Sequence, residues 1–228
     1  MARNLKSVER RTTVDLVFDY LYDEIVSMRL LPGAKISEVE IAGLFSVSRQ
    51  PVRDAFSRLE HLDLLLIRPQ KATEVKRFSI MAITKARFVR AALEAEVLRR
   101  AACLCDKKSA RQLEKQIVDQ TSAVKESDYP GFRLLDYEFH ESLCQIAKTD
   151  FAFDVISENK AKVDRLCVLG LAARSEELDQ LLDDHITIAK MVTSNDAQGA
   201  VDAGMVHLSR LDATVEGIRN THAEYFDE

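Results

Sequence analysis

Two helix starts set eleven residues apart, at Ser37 and Ser48, constrain this chain more than any other feature of its sequence. Glu40 follows Ser37 at the spacing of a capping box, in which the serine hydroxyl accepts from the residue 40 amide and the carboxylate accepts from the residue 37 amide. Ile41, Ala42, Leu44 and Phe45 give that first helix an apolar side. Only Ser46-Val47 is left for the turn before Ser48 caps a second helix. Pro51 falls in the opening turn of the second helix, where a missing amide hydrogen costs little. Val52, Ala55, Phe56, Leu59 and Leu62 recur at helical spacing and are predicted to face the first helix and the core.

That arrangement turns Arg49, Gln50 and Arg53 outward near the amino end of the second helix, with Arg58 further along. Arg reaches O6 and N7 of guanine and Gln reaches adenine, so two helices joined by a tight turn and led by these residues suit the major groove of DNA. Leu64 to Ile67 and Thr73 to Val75 read as a hairpin around Pro69-Gln70-Lys71-Ala72, completing a winged helix-turn-helix. Ser48, Arg49, Gln50, Arg53, Arg58 and Lys71 are its candidate DNA contacts. Periodicity alone also fits an ordinary helical pair with solvated arginines. The order of residues says more: Pro32-Gly33, Ile36-Ser37-Glu38, Ile41-Ala42, Phe45, Val47-Ser48-Arg49, Pro51 to Phe56 and Arg58-Leu59 together resemble the GntR family of bacterial transcriptional regulators.

A net charge of −5 looks wrong for such a role until it is divided along the chain. Residues 1–77 hold 13 Lys and Arg against 11 Asp and Glu, and the remainder holds 19 against 26. A mildly basic head on an acidic body binds phosphate locally and is repelled by it elsewhere. The 228 residues, 46% of them hydrophobic, allow one large or two small domains. With 7 Gly, 4 Pro and no low-complexity tract, long helices are favoured over a many-turned sheet. The amino terminus is polar and basic, and no apolar run approaches the roughly 20 residues that span a bilayer, so no membrane is expected and the cytoplasm is the expected location. Cys103, Cys105, Cys144 and Cys167 lack a metal-binding or redox spacing and read as reduced, mostly buried thiols.

Residues 1–11 read as a basic arm in which Arg3, Lys6, Arg10 and Arg11 either solubilise the chain or lie near DNA. A first helix is expected from Thr12 or Thr13 to Pro32-Gly33, with a buried stripe of Val14, Phe18, Leu21, Ile25 and Met28. After a linker at Lys76-Arg77-Phe78 the periodicity becomes that of long helices, predicted near 79–104, 108–125, 129–148, 151–172, 176–194 and 196–225. The expected fold is therefore mainly α, a winged helix-turn-helix over 1–77 and an all-helical bundle over 78–228.

Within the bundle Asp136 and His140 lie one helical turn apart, while His185 and His207 sit on later helices among apolar neighbours. One carboxylate and three imidazoles make a nitrogen-rich site for a first-row divalent ion with positions open for water or a ligand. Spacing alone equally describes hydrogen-bonded core or surface histidines. The bundle also resembles the FCD domain, the ligand-binding domain of FadR-type GntR regulators, through Val89-Arg90-Ala91-Ala92-Leu93-Glu94, Asp136-Tyr137-Glu138-Phe139-His140, His185-Ile186-Thr187-Ile188 and Met205-Val206-His207-Leu208. The resemblance implies a divalent metal (zinc, nickel or manganese) held by Asp136, His140, His185 and His207. It also implies a small carboxylate effector held by Arg90, with Arg165 a weaker candidate, and a homodimeric regulator of a double-stranded DNA operator. Arg90 has a structural alternative, an exposed ion pair with Glu94. A direct metal sensor, a structural metal and a metal-dependent hydrolase are the other readings of the four ligands. Two departures from the family pattern stand out: Ala72 replaces a wing glycine, and Val39 replaces a residue that is basic in some relatives.

Overall fold

The computed structural model describes residues 11–173 and 176–227; Arg3, Lys6 and Arg10 of the arm and the break at Arg174-Ser175 lie outside them. Contacts divide the chain into two units, Met1–Arg77 and Phe78–Glu228.

In the first unit α1 (Thr13–Val26) opens at Thr12, whose hydroxyl accepts from the Asp15 amide at 3.2 Å while Asp15 accepts from the Thr12 amide at 2.9 Å. The full capping box thus forms here. At Ser37 the hydroxyl accepts from the amides of Val39 and Glu40 at 3.3 and 3.5 Å, a one-sided cap for α2 (Glu38–Phe45). The predicted α1 stripe is buried at Leu21, Ile25 and Met28 and is widened by Val17. Val17, Leu21 and Ile25 are fully buried, whereas Val14 and Phe18 are only partly so. The helix also stops at Val26, well before Pro32, because Ser27 caps it and Met28 enters the left-handed region at φ 61°.

Ser46, also left-handed at φ 54°, ends α2 and leads into α3 (Arg49–His61). Val52, Ala55, Phe56 and Leu59 pack on the α1 stripe, while Leu62 is partly buried at the end of α3. Leu44, expected on the apolar side of α2, is 62% exposed. It lies about 160° round the helix from the buried Ala42 and about 100° from Phe45, on the far side of their contact.

The wing is a three-stranded antiparallel sheet of β1 (Lys35–Ile36), β2 (Leu65–Leu66) and β3 (Thr73–Val75) in the order β1-β3-β2. Lys35 pairs with Glu74 and Leu65 with Val75. Strand β1 was not expected, since two residues carry no alternation to read. Gly33 feeds it at φ 83°, and its amide donates to the Val75 carbonyl at 2.7 Å. The tip turns at Pro69-Gln70, where Gln70 has φ 60° and the Lys71 amide donates to the Arg68 carbonyl at 3.2 Å. This is the type II pattern, with proline before the left-handed position. The left-handed role therefore falls on Gln70, and the alanine at position 72 does not hinder the turn.

The second unit holds α4 (Ile80–Leu104), α5 (Lys107–Lys125), α6 (Tyr129–Ile146), α7 (Asp150–Ala173), α8 (Glu176–Thr193) and α9 (Ala197–Thr221). Ser79, Asp106, Asp128 and Asp196 each cap a helix by accepting an amide hydrogen bond on the side chain. Helix α4 packs on α9 and α7, α8 on α9, and α5 on α6 and α8. The core between them includes Leu98, Ala101, Phe139, Leu143, Ile156, Ile188, Val192 and Ala200. A Cβ added at Gly204 of α9 would collide with Leu98, which marks how closely α4 and α9 approach. The predicted last helix is shorter than expected, giving way to a 3-10 turn at Ala223–Tyr225. Beyond it Phe78 donates to the Tyr225 carbonyl and accepts from the Asp227 amide, both at 2.8 Å. All four cysteines are free thiols; Cys144 is buried and Cys103 is exposed, contrary to the expectation that most would be buried.

Candidate functional site

Helix α6 presents Asp136 and His140 one turn apart, α8 presents His185 and α9 presents His207. They expose 7, 4, 0 and 8% of their surface. One ligand atom from each can be chosen so that all four lie within 4.8 Å of one another. Oδ1 of Asp136 stands 3.4 Å from Nε2 of His185 and 3.7 Å from Nε2 of His140.

The outward nitrogens of two of the rings face oxygen atoms. Nδ1 of His140 is 3.1 Å from Oε2 of Glu94, and Nδ1 of His185 is 2.7 Å from Oε1 of Gln120. A proton on each Nδ1 leaves a lone pair on each Nε2, aimed inward. Phe139 stacks on His185 at 4.6 Å between centroids and helps to set its plane. Nε2 of His140 and Nε2 of His185 are buried without a hydrogen-bond partner, while Nδ1 of His207 faces Asp184. Each such orphan costs about 1–3 kcal/mol, and a divalent ion would satisfy both at once. With His207, one nitrogen from each of three imidazoles and one carboxylate oxygen fit a first-row ion with room for a further ligand.

The surrounding charges keep these groups in ligating form. Burial, reinforced by the neighbouring His207 and His140, pushes His185 well below the ordinary imidazole range, and burial lowers His207 as well, so both rings are neutral. Burial would raise Asp136, yet the Lys160 ammonium beside it overcomes this and holds the carboxyl below its usual range. Asp184, lowered to about 2 against the effect of burial by His207 and Arg210, lies 3.7 Å from Nδ1 of His207. Arg210 donates to both its oxygens at 2.9 Å.

Arg90 is buried, and its Nε donates to Oε1 of Glu94 at 2.8 Å. The ion pair anticipated as an exposed alternative is therefore present but inside the bundle, where Arg90 supports His140 through Glu94. Arg165 is also buried and lies over the Phe78 ring at 4.6 Å. Glu94 and Gln120 as holders of the imidazoles, and Lys160 on Asp136, were not read from the sequence. Gln120 comes from α5, with no spacing relation to its histidine, whereas Lys160 and Asp164 at i,i+4 were a visible signal.

On the first unit, Arg49, Gln50 and Arg53 are exposed on α3. Arg49 and Arg53 both donate to Oε2 of Glu38, at 2.6 and 2.9 Å, while Gln50 donates to Asp54 at 2.9 Å. Ser48 is the N-cap residue, but its side chain makes no cap bond. Pro51 occupies the third helical position and has no amide hydrogen for it to accept. Arg58 donates to Asp15 at 2.8 Å and lies over the Phe18 ring at 4.1 Å, tying α3 to α1. Lys71 is exposed at the wing tip.

Residues 13–75 match the family described as bacterial regulatory proteins, gntR family, and residues 86–210 match the FCD domain. The chain belongs to the GntR family. This GntR regulator is 34% identical to the HTH-type transcriptional repressor RspR of Escherichia coli (strain K12), over 93% of this chain and 92% of the relative. It is 27% identical to a probable D-xylose utilization operon transcriptional repressor of Paenarthrobacter nicotinovorans, over 90% of this chain and 89% of that one. The solved structure of E. coli McbR/YncC superposes with a TM-score of 0.76 at 16% identity, covering 91% of this chain and 99% of the other, which shows the shared fold. The family and these relatives are DNA-binding transcriptional regulators, so the hydrolase reading of the four ligands falls away. Among the described residues no helix is long and apolar enough to cross a membrane.

Proposed function

We propose that this GntR regulator is a cytoplasmic repressor that binds a palindromic operator as a homodimer and responds to a small organic acid bound beside a divalent metal in its FCD domain. The observation that carries the metal is the set of inward imidazole nitrogens lacking partners while the outward Nδ1 atoms of His140 and His185 are held by Glu94 and Gln120. Asp136, His140, His185 and His207 are the ligands, and the metal, when bound, supplies a Lewis-acidic anchor for a carboxylate. Arg90 and Arg165 are the side chains for the rest of the acid, Arg90 through the guanidinium nitrogens beyond the Nε used by Glu94.

Arg49, Gln50 and Arg53 read base edges from α3, with Ser48 and Lys71 on the phosphates. Arg58 belongs with them as a weaker contact, given its bond to Asp15. Two recognition helices about one DNA turn apart read the two half-sites. The acid relieves repression only to the extent that it binds the non-operator arrangement of the dimer more tightly than the operator-bound one. A direct metal sensor is the second reading, since the same four ligands need no organic partner to bind an ion.

The test is elemental analysis of tag-free protein beside Asp136→Ala, with operator affinity measured in the presence and absence of metal and of candidate acids. About one zinc, nickel or manganese per chain, lost in the variant, supports the site. No uptake of these ions would refute it, and metal that alters operator affinity without any acid would favour the sensor.

A further inference from the structure

The geometry points to Lys160 as a positioning residue for this centre: it restricts Asp136 to one coordinating oxygen and biases the site toward zinc or nickel over manganese. The inference rests on the metal reading above. Lys160 sits on α7, buried, with its ammonium 2.7 Å from Oδ2 of Asp136 and 2.8 Å from Oδ1 of Asp164. It also lies over the Tyr137 ring at 4.7 Å. Asp164 is itself anchored, because the Tyr137 hydroxyl donates to its other oxygen at 2.6 Å. Lys160 is therefore held between two buried carboxylates, one of them fixed by Tyr137.

This lock decides which oxygen of Asp136 is available. Oδ2 is taken by the ammonium, and Oδ1 is the oxygen that faces Nε2 of His140 and His185. A carboxylate that can turn both oxygens to an ion raises the oxygen count that manganese and other hard cations prefer. One tied to a single oxygen leaves the donor set dominated by imidazole, which suits zinc and nickel. The positive charge of Lys160 also repels any divalent ion. That effect is common to all such ions and cancels in the ratio of their affinities.

The experiment measures dissociation constants of full-length protein for zinc and manganese by competition with a chromogenic chelator. Wild type is compared with Lys160→Met and with Lys160→Arg, which keeps donors on Asp136. K160M is expected to move the zinc-to-manganese preference toward manganese by about tenfold, while K160R stays near wild type. Manganese in K160M should also show a changed electron paramagnetic resonance spectrum, reporting the added carboxylate oxygen. Because K160M leaves Asp164 unpaired, the double variant K160M/D164N is measured beside it and is expected to show the same shift. An unchanged ratio in both methionine variants, with wild type binding metal, overturns the role of Lys160 and leaves the metal site standing. Wild type that binds neither ion overturns both.

Discussion

Replacing Glu94 tests whether the Arg90–Glu94 pair is a buried support of the site or a surface ornament. The Arg90 and Glu94 side chains expose 9 and 6% of their area, and 2.8 Å separates the paired atoms. An exposed i,i+4 pair contributes about 0.3–0.5 kcal/mol. Removing one partner of a buried pair costs about 3–5 kcal/mol, since the other charge is left uncompensated. Glu94 is ionised at neutral pH despite burial, because the Arg90 guanidinium holds its carboxyl far below the usual range. Glu94→Ala is therefore expected to lose about 3–5 kcal/mol in urea unfolding of metal-free protein followed by far-ultraviolet circular dichroism. It also removes the acceptor that fixes the His140 tautomer, so metal affinity should fall about 10–100-fold. Glu94→Gln retains an acceptor for His140 but not the charge facing Arg90. It should lose stability while keeping metal affinity within a few-fold of wild type. A loss under about 1 kcal/mol for Glu94→Ala would refute the buried-pair argument.

The depressed histidines make metal-free protein sensitive to acid. Their contribution is complete above the ordinary imidazole value of 6.5 and is lost as pH falls through their lower folded values. The melting temperature of chelator-treated protein should therefore drop between pH 7.5 and pH 5.5, and flat behaviour would contradict the neutral buried rings. Arg53→Ala should weaken operator binding and flatten its salt dependence in fluorescence anisotropy titrations, with metal content unchanged. Arg58→Ala should instead lose up to about 1 kcal/mol of stability, because its bond to Asp15 and its place over Phe18 join α3 to α1. Gly33→Ala places a Cβ at φ 83° and 2.7 Å from the Arg77 guanidinium, and should lower the melting temperature of the winged-helix unit, read by differential scanning calorimetry.

The parts of this regulator that a reader of the chain can find are those written at short range. The apolar face of α3 sits at helical spacing, the wing hairpin is bounded by Pro69 and Gln70, and the bundle helices open at Ser79, Asp106, Asp128 and Asp196. Errors arose where the local pattern was ambiguous. The stripe of α1 is wider than the expected one, because Val17 joins Leu21 and Ile25 in the core while Val14 and Phe18 sit at its partly buried edge. Leu44 looked interior on an eight-residue helix that buries only Ala42 fully.

The four ligands follow from family resemblance and from one helical spacing, Asp136 to His140. What surrounds them does not. Glu94 on α4, Gln120 on α5 and Lys160 on α7 reach the ligands of α6 and α8 only after the helices pack, and no repeat in the chain ties one to another. The sequence alone determined where the helices begin, which faces are apolar and which residue types are available to bind an ion or a base, because capping and periodicity act over a few residues. The tertiary structure alone decided which groups meet the outward imidazole nitrogens, that the Arg90–Glu94 pair is buried, and which oxygen of Asp136 remains open, because these depend on contacts between helices distant in the chain.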